Sequence, residues 1–296
     1  MSPKRLRATP LDAAILLLLT GAALYIGWRL VDKLQYHWDW SAMPQYLLRY
    51  DPDQSAWRPG LLLQGLLVTL RLSLLSGLLA IVLGTIMGLF RTSRSPLRQM
   101  IGAAYVGLVR NTPPLVLIFV FYYFLGDQIM TALGVSELVY QLPESTRCVV
   151  CFLFGPIEQI PAFLPAVLTL ALFEGAYITE IVRAGIKSVE RGQWEASAAL
   201  GFTRWGRLRH VILPQAVSRM LPALAGQFIS TIKDSAIVSV ISIQELTFAG
   251  QELMAATYRT FEIWSTVLLL YFALTFPLAL GVRRLEQHLT RYKNGL

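Results

Sequence analysis

Residues 61–90 read LLLQGLLVTLRLSLLSGLLAIVLGTIMGLF and carry a single charge, Arg71. A run so apolar has few places to go. About 20 such residues, wound as a helix, cross the ~30 Å hydrocarbon core of a bilayer. There, only helices and closed barrels satisfy their own backbone hydrogen bonds. Comparable runs recur at 11–30, 101–126, 161–182, 215–240 and 263–282, in a chain that is 55% hydrophobic and 15% charged. The pattern predicts an all-α integral membrane protein with six transmembrane helices. Runs 61–90 and 101–126 are long enough to tilt or to extend into water.

The basic residues choose an orientation. One side collects Lys4, Arg5 and Arg7, then Arg91, Arg94 and Arg98, then Arg183, Lys187, Arg191, Arg204, Arg207 and Arg209, and finally Arg283, Arg284, Arg291 and Lys293. The other holds Arg29, Lys33, Arg49, Arg58, Arg147 and Arg259. Because Lys and Arg accumulate on the cytoplasmic side, both termini are expected inside. The same placement accounts for the net charge of +8 without any nucleic-acid partner. The first run ends in Gly27, Trp28, Arg29 and Leu30, a poor site for signal cleavage, so it is expected to stay as a span. Residues 31–60, with Trp38, Trp40, Tyr46, Tyr50 and Trp57, read as a connector at the outer headgroup zone.

Gly77, Gly84 and Gly88 lie on one face of the second run and suit a close helix contact. Asp127, Glu137, Glu144 and Glu158 mark an outer loop, solvated or docking a soluble partner. Cys148 and Cys151 form a CxxC with no second Cys or His pair beside it; a redox or metal role and a short interfacial apolar stretch both fit, and pairing is left open. His37, His210 and His288 lack metal-ligand spacing, and no Ser, His and acid grouping suggests a catalytic site. No GxxxxGK[ST] loop is present, so the chain is expected to hold no ATP and no metal of its own.

Between the fourth and fifth runs, residues 183–213 are too polar for the bilayer and too regular for a slack loop. Residues 193–200 favour a helix, Gly201 follows where a helix end wants positive φ, and Thr203 can cap a second short helix. Pro214 suits the first turn of the next membrane helix. Ala196, Ser197, Ala198 and Ala199 add so little bulk that a partner surface can approach the backbone, and Glu195 offers a charge there.

This stretch resembles the EAA loop of ABC importer permeases. Glu195, Ala196 and Ser197 stand at the first triplet, Gly201 at the required spacing, and Val211, Ile212, Leu213 and Pro214 at the close; Ser197 and Val211 replace the usual Ala and Ile. RNTPPLVLIFVFYY (110–123), AYITEIVRAGIKSVERGQWEA (176–196) and IKDSAIVSVISIQEL (232–246) are similar to permeases for histidine, glutamine, glutamate and arginine. The resemblance spans about 61–285. It implies a five-helix type I importer core with a coupling loop at 183–214, an extra helix and connector at 1–60, and a cytoplasmic tail at 286–296. It implies an inner-membrane location and a separate ATPase subunit that binds ATP and Mg. It also implies a periplasmic or lipid-anchored amino-acid binding protein, and a second permease copy or sister subunit.

Polar groups inside spans need a reason. Lys233 and Asp234, with Thr231 and Ser235, either line the substrate path or pair with each other. Glu174, three residues before Tyr177, either holds a substrate ammonium or bonds Tyr177 or a basic neighbour. Asn111 and Thr112, beside Pro113 and Pro114 in the third run, mark a bend in the path or a structural kink. Arg71 is expected to snorkel, and Glu180 to pair with Arg183 at a helix end. An ATP-independent secondary transporter is the competing reading, with Glu174 or Asp234 as its coupling carboxylate.

Overall fold

A computed structural model describes residues 10–294 except 34, 35, 37 and 54; Lys4, Arg5, Arg7, His37 and the last two residues of the expected tail lie outside the described residues. Two compact units divide at Trp40 and Ser41. The first contains α1 (Pro10–Lys33), in which no residue of the apolar window is buried. A helix apolar and exposed on every face needs lipid around it.

In the second unit, α2 (Met43–Leu47) leads into strands β1 (Leu48–Asp51) and β2 (Ala56–Pro59). The strands pair antiparallel with Tyr50 opposite Trp57, so the connector contains a hairpin. Then come α3 (Leu61–Thr92), α4 (Pro96–Arg110), α5 (Pro114–Val120), α6 (Asp127–Ala132), α7 (Val135–Tyr140), α8 (Glu144–Phe154) and α9 (Ile160–Lys187). The remainder is α10 (Arg191–Ala199), α11 (Arg204–Arg207), α12 (Leu213–Asp234), α13 (Leu246–Thr257) and α14 (Thr260–Asn294). Among the described residues, six helical stretches are long and apolar enough to cross a membrane.

The third stretch corrects the expectation. A continuous span over 101–126 is absent: α4 ends at Arg110, and the candidate span is Pro114–Ala132, with a wide π turn over Phe121–Gly126. Pro113 and Pro114 have no N–H to donate, so helix bonds fail there. Asn111 Nδ2 donates to the Gly107 carbonyl at 2.8 Å and Thr112 Oγ1 to the Leu108 carbonyl at 2.8 Å, capping the freed end of α4. α14 also runs through the expected tail from 286.

α9 is the central element, and it lies along α3. A Cβ on Gly84 would sit 2.5 Å from Ile178 Cγ2, and one on Gly88 2.6 Å from Val182 Cγ1. Lipid supplies no hydrophobic drive between helices, so such close backbone approach is what dispersion forces need. The glycine face is therefore spent within the chain, Gly77 meeting Phe228 of α12. Arg91 at the end of α3 bonds Glu180 of α9, which also takes Arg183 at 2.7 Å, so the ends of these two helices share one end of the unit. Arg71 does more than snorkel: its Nε donates to the Phe152 carbonyl at 3.0 Å and ties α8 to α3. Cys148 and Cys151 on α8 are free thiols.

Candidate functional sites

Two groups of residues stand out, one in the loop between α9 and α12 and one inside the seam between them. In the loop, α10 ends as a Schellman turn: Phe202 N–H donates to the Ser197 carbonyl at 3.2 Å and Gly201 N–H to the Ala198 carbonyl at 3.0 Å. That closure requires Gly201 at φ +80. Thr203 Oγ1 then accepts from Gly206 N–H at 3.1 Å and caps α11. The second short helix, capped by Thr203, is not separate from the next span. It passes through a wide turn, Leu208–Ile212, straight into α12, with Pro214 in the first turn of α12.

The small-residue face is smaller than expected. Ser197 is 2% exposed and its hydroxyl donates to the Gln193 carbonyl at 2.7 Å, so it faces inward, while Ala196, Ala198 and Ala199 are exposed. Glu195 is exposed and pairs with Arg191 at 2.8 Å. Trp194 packs on an apolar cluster of Ile178, Val182, Ile186, Ile212, Ala216 and Met220, which joins α9 to α12. Gln215 Nε2 donates to Gln193 Oε1 at 3.3 Å, and Arg219 donates to the Ser188 carbonyl. The loop is thus strapped to both helices that it connects.

In the seam, Glu174 is fully buried. Of the alternatives the sequence left open, a bond to Tyr177 does not form among the described residues. Gln227 of α12 donates to Oε2 at 2.7 Å, and Oε1 has no hydrogen-bond partner. Asp234 stands beside the same carboxyl. Gln227 was not singled out in the sequence, although an amide one helical turn before Thr231 was its signal. Thr231 and Ser235 are buried with their hydroxyls given to the Gln227 carbonyl (3.0 Å) and the Ile232 carbonyl (2.8 Å). Lys233 is exposed, and no Lys233–Asp234 ion pair forms among the described residues. The structure therefore gathers Gln227, Thr231 and Asp234 around Glu174 and leaves Lys233 and Ser235 out. Tyr177 instead carries the Arg110 guanidinium 5.6 Å above its ring, next to the break at Asn111 and Thr112.

Glu245 was also missed. It is fully buried, accepts from Phe248 N–H (2.8 Å), Tyr271 OH (2.8 Å) and Thr69 Oγ1 (3.3 Å), and pins α13 between α3 and α14. A Glu three residues ahead of Phe248, at the start of an apolar helix, was the available sign.

Residues 80–291 match the family described as the inner membrane component of binding-protein-dependent transport systems. The chain belongs to this family. This permease is 34% identical to the glutamine transport system permease protein of Escherichia coli K12 over 77% of its own length and 93% of the relative's. It is 29% identical to the arginine ABC transporter permease protein of Haemophilus influenzae, over 78% and 94%. A crystal structure of an amino acid ABC transporter with histidines superposes with a TM-score of 0.64 at 29% identity, covering 86% of the permease and all of that chain. The inward-facing MetNI methionine ABC transporter shares the fold, with a TM-score of 0.58 at 22% identity over 77% and 96%. The permease is a multi-pass inner-membrane transport component of the ABC importer type, which sets aside the secondary-transporter reading.

Proposed function

We propose that this permease imports a polar amino acid, driven by a separate ATPase that binds ATP and Mg and docks on the loop between α9 and α12. Glu195, Ala196 and the exposed alanines form the contact face. Ser197, Gly201, Leu213 and Pro214 shape it. Both termini are cytoplasmic, the core covers 61–285 with its coupling loop at 183–214, and residues 1–60 add a helix and connector. A soluble or lipid-anchored binding protein delivers the substrate, and a second permease copy or a sister completes the pathway.

The observation that carries this reading is the double strapping of the loop. Coupling requires a lever whose displacement reaches the membrane helices, and Trp194, Gln193 and the Ser188 carbonyl connect α10 to α9 and α12 with little slack. The substrate path follows α9. Glu174, Thr231 and Asp234 supply the side that receives an ammonium, and Arg110 over Tyr177, beside Asn111 and Thr112, the side that receives a carboxylate; Lys233 and Ser235 flank them. An amino acid carries one group for each.

The test is ATP hydrolysis by the permease co-purified with its ATPase and binding protein in nanodiscs, with polar amino acids added singly. One or a few should stimulate hydrolysis, and Glu195→Arg should abolish the stimulation while the permease still folds. Full stimulation in Glu195→Arg would remove the docking role.

A further inference from the structure

At the loop end of the permease, a cavity of about 450 Å³ opens between the last turn of α3, the start of α4 and the passage from α9 into α10. Arg91, Lys187 and Arg191 line it, with Gln99 and Trp194, and no acid does. Two of the cations are partly neutralised from behind, Arg91 by Glu180 and Arg191 by Glu195. Among the described residues no carboxylate forms an ion pair with Lys187. The lining therefore favours an anion.

Its surroundings say which kind. On α4, Gln99 lies on the side of the inward-facing Gly102 and Val106, and the opposite, outward face carries Leu97, Met100 and Ile101, which are 67%, 68% and 44% exposed. A basic cup at the root of a helix whose outer face is apolar matches an amphiphile, with an anionic head in the cup and acyl chains along the outer face of α4. The cup sits where two spans end, at headgroup level, and Trp194 is the residue type that prefers that level. Basic pockets between transmembrane helices on the cytoplasmic side suit such headgroups.

We propose that this cavity binds the headgroup of an anionic phospholipid of the inner leaflet, placing a lipid phosphate against the start of the coupling helix. The inference rests on the cytoplasmic assignment of the loop end above, but not on docking of the ATPase. Trp194 and Arg191 belong to α10, so an occupied cup would hold the coupling helix from its membrane side.

Native mass spectrometry of the full-length permease, released from phosphatidylglycerol or phosphatidylcholine nanodiscs, tests it without any transport assay. Phosphatidylglycerol should be retained and phosphatidylcholine lost. Lys187→Gln and Arg191→Gln should each lower retention by roughly fivefold, the worth of one basic residue near an anionic surface, and the pair Lys187→Arg with Arg191→Lys should keep it. Arg283→Gln removes as much charge elsewhere and should change nothing. Equal retention of both lipids, or equal loss in that control, would overturn the site. Displacement by excess inorganic phosphate would assign it to a soluble anion instead and overturn the lipid reading.

Discussion

The two faces of α9 are built on opposite principles. Toward α3 it meets Gly84 and Gly88 with Ile178 and Val182, apolar on both sides and too close for any added carbon. Toward α12 it presents Glu174, held by one amide bond and left with an unpartnered oxygen. The first contact has one well-packed arrangement, since interdigitated interiors resist small displacements. The second rests on a hydrogen bond, and it joins the two helices that enter and leave the loop carrying α10 and α11. The contrast is local: nearer the loop α9 packs tightly on α12 as well, where a Cβ on Gly185 would collide with Met220 Cγ, so rearrangement along this seam is expected around Glu174 alone.

Breaking the tight face should have the largest effect. Gly84→Leu forces the helices apart, and overpacking of this kind costs about 1–3 kcal/mol or more. The expected result is a clear fall in thermal midpoint and yield, with Gly84→Ala milder in the same direction; an unshifted midpoint would mean that the contact yields. At the polar seam, Gln227→Leu strips Glu174 of its donor and leaves a buried group unsatisfied, at a cost of about 1–3 kcal/mol. That loss should vanish in the double variant Gln227→Leu with Glu174→Leu, measured by the same melts. Glu174→Gln is the mildest and sharpens the comparison. It keeps a polar group of the same size, so stability should move by only about 1 kcal/mol, while the amino-acid concentration needed to stimulate ATP hydrolysis rises severalfold. An unchanged concentration would make Glu174 structural.

Much of this was legible in the sequence because the signals were local. Gly201 as a helix stop, Thr203 as a cap and the Glu180–Arg183 pair all depend on neighbours within a turn or two, and each is present. The third span was misjudged because hydropathy counts apolar residues regardless of whether their backbone can stay helical, and Pro113 and Pro114 decided that. Ser197 was read as part of an open face; only packing against the α9–α12 cluster shows which side of α10 turns inward. For Glu174 the sequence offers a substrate ammonium, Tyr177 or a basic neighbour, whereas its partner Gln227 lies 53 residues away.

The membrane class, the first helix and the caps of the loop between α9 and α12 follow from the sequence, through hydropathy over about 20 residues and backbone chemistry at single positions. Only the tertiary structure decided which glycines meet which helix, which carboxylates share a seam and which cations gather around one cavity. Those are contacts between residues distant in the chain, set by how α3, α9 and α12 approach in space, and no local propensity records that.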